Sequence, residues 1–258
     1  MKILITNDDG PYSPGLRILY EAVKDFGEVT VIIPETPKSA SGLGITLHKP
    51  IRIRRLNIFG FDTWLINGTP SDVIYLSITK ITGKIDLVLS GINIGDNTSI
   101  QVILSSGTVG AAALAALEGI PAIAFSAAVE TEDDFKNPEL EESMKKCIRR
   151  IVKNIMEYGF PEDIDLVNIN FPSVPTEEIV PVPPAKHRFI STVEERKDPR
   201  GRKYYWIYGE SRSPEPGTDV YTVLVEKKIA ISPLNLNLGS VFPPSFIAFV
   251  RRIKSMEE

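Results

Sequence analysis

The sequence predicts an α/β protein with a mostly parallel sheet flanked by helices and a β-rich C-terminal region carrying an exposed arm. Three observations predict it. Short apolar runs at Lys2 to Thr6, Glu28 to Ile33, Ile85 to Leu89, Pro121 to Ser126 and Asp165 to Asn170 alternate with stretches of helical period, as in a sheet joined by crossover helices. The first three runs end in small, polar or turn-forming residues. From Pro172 onward proline is dense and short β-like pieces replace the long helices. A chain of 258 residues, 43% hydrophobic, suffices for one sizeable core with an appended lobe. The expected division is residues 1–171 for the core and 172–258 for the β-rich region, the two forming one integrated unit.

The first run, with Ile3, Leu4 and Ile5, reads as a buried strand, and Asn7-Asp8-Asp9-Gly10-Pro11 follows at once. Side chains alternate between faces along a strand, so two adjacent aspartates aim at one point only where the chain turns. Gly10 and Pro11 supply that turn. In an open α/β sheet ligands gather outside the carboxyl ends of the strands, which is where Asp8 and Asp9 lie. One aspartate there is ordinarily a helix cap. Two close carboxylates repel each other and only accept hydrogen bonds, so the pair favours a hard divalent cation. A nucleotide-phosphate loop is disfavoured at this turn, because no GxGxxG follows and two bare charges would repel a pyrophosphate.

Leu16, Leu19, Tyr20 and Val23 then fall at helical spacing, Phe26-Gly27 ends that helix, and Glu28 to Ile33 forms a second strand closed by Pro34. This is a right-handed βαβ opening. Glu35 to Lys49 is a long polar loop leaving the second strand beside Asp8 and Asp9, with Ser39 and Ser41 in reach of them; each serine reads equally as a loop hydroxyl in a turn. Ile51 to Ile66 reads as two strands broken near Asn57 to Gly60. A helix capped by Thr69 or Ser71, with Pro70 in its first turn, runs to Ile81.

The strand Ile85 to Leu89 ends in a loop, Ser90-Gly91-Ile92-Asn93-Ile94-Gly95-Asp96-Asn97, which offers Asn93 and Asn97 as neutral oxygen ligands or donors. That loop continues to Ser105. Ser106-Gly107-Thr108 then opens an Ala-rich helix and is either a plain N-cap or, with its free N–H groups and hydroxyls, a phosphate site. Glu130 to Asn137 reads as a solvated acidic linker, and Leu140 to Tyr158 as an amphipathic helix with Met144, Cys147, Ile148, Ile151, Ile155 and Met156 on its apolar face. In the last third, Lys203 to Tyr208, Val220 to Val225 and Ile229 to Ile231 read as β pieces, and Glu194 to Lys203 as an exposed hairpin arm of the kind that joins subunits.

Composition excludes several chemistries. A formal net charge of −4 provides no basic field for a nucleic-acid polymer. One cysteine, Cys147, forms no internal disulfide and reads as a packed small hydrophobe. With only His48 and His187, no histidine-rich zinc site is available, and no GxSxG elbow accompanies them. Oxygen chemistry remains, and with it Mg²⁺ or Mn²⁺ as the cation. The N-terminal apolar run is too short for a signal peptide, and Val109 to Val129 is interrupted by Glu118 and Gly119-Ile120-Pro121, so a soluble cytoplasmic protein with no membrane partner is expected.

Four stretches in this order and spacing, Asn7-Asp8-Asp9-Gly10, Lys38-Ser39-Ala40-Ser41-Gly42, Ser90-Gly91-Ile92-Asn93-x-Gly95-x-Asn97 and Ser106-Gly107-Thr108-Val109-Gly110-Ala111-Ala112, resemble the SurE family, the survival protein E nucleotidases. Asn67 to Asp72, Pro216-Gly217-Thr218-Asp219 and Ile229 to Leu234 are also similar to it, so the resemblance spans Met1 to about Leu236. It implies a Rossmann-like core, a β-rich arm that joins dimers or tetramers, and a divalent-metal phosphomonoesterase acting on nucleoside monophosphates. Carried over by position, Asp8, Asp9, Ser39 and Asn93 are the metal ligands, and Asn97 with Ser106, Gly107 and Thr108 binds the phosphate. The sequence departs from the family's usual pattern at Pro11, Lys38, Gln101 and Ser105; none of these removes a ligand.

The chemistry expected is attack by metal-activated water on a 5′-phosphate, with 3′-phosphates a further option and Asp8 or Asp9 the nearest base. A competing route makes Asp8 the nucleophile through a phospho-aspartate. The alternative from another class is a nucleotide- or phosphate-binding regulatory module without turnover.

Overall fold

The computed structural model describes residues 1–239 and 242–254. Strand β1 (Lys2–Thr6) is fully paired on both sides, to β2 (Glu28–Pro34) through Ile3↔Val29 and to β5 (Leu87–Ile94) through Ile3↔Leu87, both in parallel. The nine-stranded sheet takes the order β3-β4-β2-β1-β5-β6-β7-β11-β8, where β3 is Ile53–Ile58, β4 Phe61–Ile66, β6 Ala122–Ala127, β7 Leu166–Phe171, β8 Ile179–Pro181 and β11 Ile229–Leu234. The six strands from β4 to β7 are parallel; β3 and β11 run against their neighbours β4 and β7. Strand order reverses direction between β1 and β5, which makes their carboxyl ends the topological switch point of the sheet.

The alternation of β1 sends Ile3 and Ile5 to one face and Leu4 to the other, so each face has its own core. Helices α1 (Pro14–Val23) and α5 (Pro138–Tyr158) cover the first face through Leu16, Leu19, Met144 and Ile148. Helices α2 (Pro70–Leu76, continued by a π turn over Ser77–Ile81) and α4 (Gly107–Leu117) cover the second through Val73, Ile74, Val109 and Leu114. Of the two caps offered for α2 it is Thr69 that serves, in a reciprocal capping box with Asp72; α5 starts at Pro138 rather than Leu140, because Asn137, expected in the linker, caps it by accepting from Glu139 N and Leu140 N.

Several expectations are corrected. The segment expected as loop from Ser90 is strand as far as Ile94, with a register shift between Ser90 and Asn93 where it pairs with β6. Ser99–Ser105 is a short helix, α3, rather than loop. Its first amides are capped from afar: Ser99 N donates to Asp219 Oδ2 at 2.7 Å, Ile100 N to Ala185 O at 2.7 Å and Gln101 N to Lys186 O at 3.2 Å. Val220 to Val225, read as a β piece, lies mostly in α6 (Asp219–Leu224), because Thr218 accepts from Tyr221 N and the helix buries Val223 against Ala230. The acidic linker holds a 3₁₀ turn at Glu132–Lys136 that buries Phe135.

The arm is longer than the expected Glu194 to Lys203. Strands β9 (Phe189–Lys197) and β10 (Lys203–Ser211) pair over their full length, closed by a turn in which Asp198 Oδ1 accepts from Arg200 N and Arg202 N. A last helix, α7 (Pro244–Lys254), follows β11. Strands β8 and β11, although beyond Pro172, are built into the central sheet, and only β9–β10 stands apart as a second sheet. Among the described residues no single helix is long and apolar enough to cross a membrane; the α3–α4 pair is so only when taken together, and it is bent by 76°.

Candidate metal and phosphate site

The turn after β1 is fixed by Asn7. Its Nδ2 donates to Gly10 O at 2.9 Å and its Oδ1 accepts from Gly10 N at 3.3 Å, an Asx turn that presents Asp8 and Asp9 at the switch point. Gly10 takes φ of +95°, open to glycine at little cost. The long loop after β2 is tied to this turn by Lys38 N, which donates to Asp8 O at 2.7 Å.

The two carboxylates are anchored to different elements. Thr108 Oγ1 donates a short hydrogen bond to Asp8 Oδ1, and the N–H groups of Gly107 and Thr108 also bear on that carboxylate. The first anion held by the N-terminus of α4 is therefore Asp8 itself. Asp9 Oδ2 accepts from Ile94 N at 3.0 Å, at the end of β5. Burial raises both acids. Asp8 is raised by desolvation against these hydrogen bonds, and Asp9 is pushed up to about 7 by desolvation first and by the charge of Asp8 second, with Glu132 adding a little. Among the described residues no lysine, arginine or histidine pairs with either carboxylate.

Asn93 joins them. Its Nδ2 donates to Ile94 O at 2.9 Å and Gly95 O at 2.8 Å, which leaves Oδ1 facing Thr108 Oγ1 at 3.4 Å. Asp8, Asn93 and Thr108 thus converge. Ser39 is exposed in the loop, and no side-chain hydrogen bond links it to the pair. Ser41 lies closer: a Cβ placed on Gly107 would sit 2.6 Å from Ser41 Oγ and 2.9 Å from Asp8 Oδ2. The Ser41 hydroxyl is buried without a hydrogen-bond partner.

Asn97 is held deeper. Its Nδ2 donates to Ser126 Oγ at 2.7 Å, its N–H to Asn170 Oδ1 at 2.8 Å, and its carbonyl accepts from Asn168 Nδ2 at 2.9 Å. Ser106 serves α4 as N-cap, accepting from Val109 N at 3.2 Å. Asn7, Ser126, Asn168 and Asn170 are supporting residues that the sequence reading left without a role. Two signals point to three of them, an Asn three residues ahead of a glycine and two asparagines alternating inside an otherwise apolar central strand; no such signal marks Ser126.

The donor set fits a hard cation. A buried and a half-buried carboxylate without a counter-charge, the amide oxygen of Asn93, which meets Thr108 Oγ1 only at 3.4 Å, and the orphaned Ser41 hydroxyl are all oxygen donors. Among the described residues no cluster of three or more His, Cys, Asp and Glu exists, so a softer, nitrogen- or sulfur-rich site has no ligands.

Comparison with known proteins gives a consistent result. The family model described as Survival protein SurE matches residues 3–191. A 5'-nucleotidase SurE of Thermofilum pendens is 53% identical over 255 residues, covering 98% of each chain. A 5'-nucleotidase SurE of Hyperthermus butylicus is 56% identical over 260 residues, covering 99% of this chain and 92% of the other. The crystal structure of the SurE protein from Aquifex aeolicus matches over 100% of both chains with a TM-score of 0.78 and 34% identity.

Proposed function

The chain belongs to the SurE family, and from that premise we propose that it is a 5′-nucleotidase that hydrolyses nucleoside monophosphates with the help of a divalent cation, Mg²⁺ or Mn²⁺. The observation that carries the reading is the Asp8–Asp9 pair, Asp8 buried and Asp9 half-buried, uncompensated in charge, at the sheet's switch point and against the start of α4. Asp8, Asp9 and Asn93 would hold the cation together with a serine of the loop after β2: the resemblance implies Ser39, which is exposed here, while the hydroxyl buried beside Asp8 without a partner is that of Ser41. When bound, it neutralises the pair and polarises the phosphoryl group.

The protein's own groups do the rest. Thr108 and the first amides of α4 fix the orientation of Asp8, and Ile94 N fixes Asp9, so little reorganisation is needed when charge builds on the phosphoryl and leaving oxygens. Asn97, Ser106, Gly107 and Thr108 would line the substrate phosphate; of their donors the Ser106 hydroxyl is not already spent, whereas Gly107 and Thr108 donate to Asp8 and Asn97 to Asn170 and Ser126. Attacking water passes its proton to Asp8 or Asp9 as the bond from phosphorus to the nucleoside oxygen breaks, and that oxygen takes its proton from solvent water. Direct attack is the route proposed, and trapping of a covalent phospho-aspartate at Asp8 would overturn it. The exposed Val193, Tyr205, Trp206 and Ile207 of the β9–β10 arm support a second part of the proposal, that the arm joins copies of the chain into a dimer or tetramer.

The test is release of inorganic phosphate from AMP and from 3′-AMP by EDTA-stripped protein, with and without added Mg²⁺ or Mn²⁺. Metal-dependent release from AMP is expected. Absence of release from several monophosphates, with a melting temperature still raised by nucleotide, would replace the enzyme with a binding module.

A further inference from the structure

We propose that Arg188, at the root of the β9–β10 arm, sets the affinity of the site for phosphate by balancing the charge of Asp96 on the loop between Asn93 and Asn97; the inference rests on the phosphate-binding reading above. Asp96 lies next to Asn97 in the chain, and its side chain is only 13% exposed. Its Oδ1 accepts a short hydrogen bond from Thr98 Oγ1, a neutral group that leaves the charge in place. The one cation beside it among the described residues is Arg188, whose side chain is 11% exposed and whose Nε lies 3.6 Å from Asp96 Oδ1.

That Nε is buried and makes no hydrogen bond, so the guanidinium serves Asp96 as a charge rather than as a bonded strut. Its place is set by other contacts. Gln101 Oε1 accepts from Arg188 N at 3.0 Å and from Phe189 N at 2.9 Å, and the guanidinium carbon sits 4.7 Å from the centre of the Phe189 ring. A second carboxylate, Asp219, is buried close enough to feel the charge of Asp96. Without Arg188, a dianionic phosphate approaching Asn97 would meet uncompensated negative charge in a poorly screened setting. Because Arg188 belongs to the root of the arm, the seating of the arm on α3 and the affinity for substrate are linked.

Four variants test this: R188M, R188K, D96N and R188M/D96N, read by the Ki of inorganic phosphate against AMP hydrolysis, by kcat and KM for AMP, and by the rise in melting temperature that phosphate produces. R188M is expected to raise KM and Ki about tenfold with kcat within about twofold, the effect fading at high salt. R188K recovers most of the loss, and R188M/D96N returns to within about twofold of the parent. D96N alone, which keeps the side-chain shape, lowers the Ki because Arg188 is then uncompensated; this arm stands even if R188M fails to fold. Unchanged Ki in D96N, or a loss in folded R188M that D96N does not rescue, overturns the proposal. A parent protein that releases no phosphate from AMP fails the catalytic reading instead, and the phosphate-induced melting shift still reads the effect of Arg188.

Discussion

Gly107 shows how closely the site is built around single atoms. Its missing Cβ leaves the space in which Ser41 Oγ and Asp8 Oδ2 approach the start of α4. Gly107→Ala should therefore displace Asp8 or Ser41, at a packing cost of about 1–3 kcal/mol, and lower phosphate release by about tenfold or more. Retention of full activity by a folded Gly107→Ala protein would mean that Asp8 does not need its present position. At this scale the sequence was legible where local chemistry is dense. Asp8, Asn93 and Thr108 stand out by residue type and converge in the fold, with Asp9 held beside them by Ile94 N. Ser39 and Ser41 were equivalent in the sequence, since a polar loop without periodicity carries no information on which hydroxyl turns inward. Cys147 is buried as expected of a packed hydrophobe, its thiol pushed up to about 11 mainly by desolvation.

Helices α1 and α5 are joined over the sheet by a cluster of charges as well as by their apolar faces. Arg17 bonds Glu141 Oε2 at 2.7 Å, and Lys145 bridges Glu141 and Glu21. Glu141 is held down to about 2, chiefly by the hydrogen bond from Arg17, against 4.5 for the free side chain. A carboxylate whose folded pKa is depressed stabilises the fold above its unfolded pKa and loses that contribution as pH falls through the folded value. Glu141→Gln should therefore lower the urea midpoint at pH 7, and the gap to the parent should narrow between pH 4.5 and about 2. A gap independent of pH would show that the cluster contributes nothing through ionisation.

Elements were legible where their signals are local. Thr69 with Pro70 announces α2, and the apolar period of Met144, Cys147, Ile148 and Ile151 announces α5, though not its start at Asn137-Pro138. Helix α3 was not legible, because its first amides are satisfied by Asp219 and by the backbone of Ala185 and Lys186, which no window of sequence around Ser99 contains. Helix α6 was misread because Val220, Tyr221, Thr222 and Val223 favour strand, while the Thr218 cap and burial against Ala230 decide the outcome.

For the whole molecule, the switch between β1 and β5 explains why residues from four distant stretches meet at one place. The composition change at Pro172 marks a change of element type but not the edge of the sheet, since β8 and β11 extend it. The arm is the part left outside, and it exposes Trp206 and Ile207 at 57% and 83%. Replacing residues 191–209 by a short Gly-Ser turn keeps Arg188 and Phe189 and should reduce the mass found by sedimentation to that of a smaller oligomer or a monomer. An unchanged mass would place the subunit contact elsewhere.

The central claim is that Asp8 and Asp9 form a divalent-cation site on which phosphate release depends. It is tested most directly by calorimetric titration of Mn²⁺ into EDTA-stripped protein, with Asp8→Asn alongside. One cation per chain is expected for the parent, and binding weakened about 100-fold or more in the variant, together with loss of AMP hydrolysis. Equal Mn²⁺ binding by the two proteins, or hydrolysis that persists in the stripped parent, would contradict it.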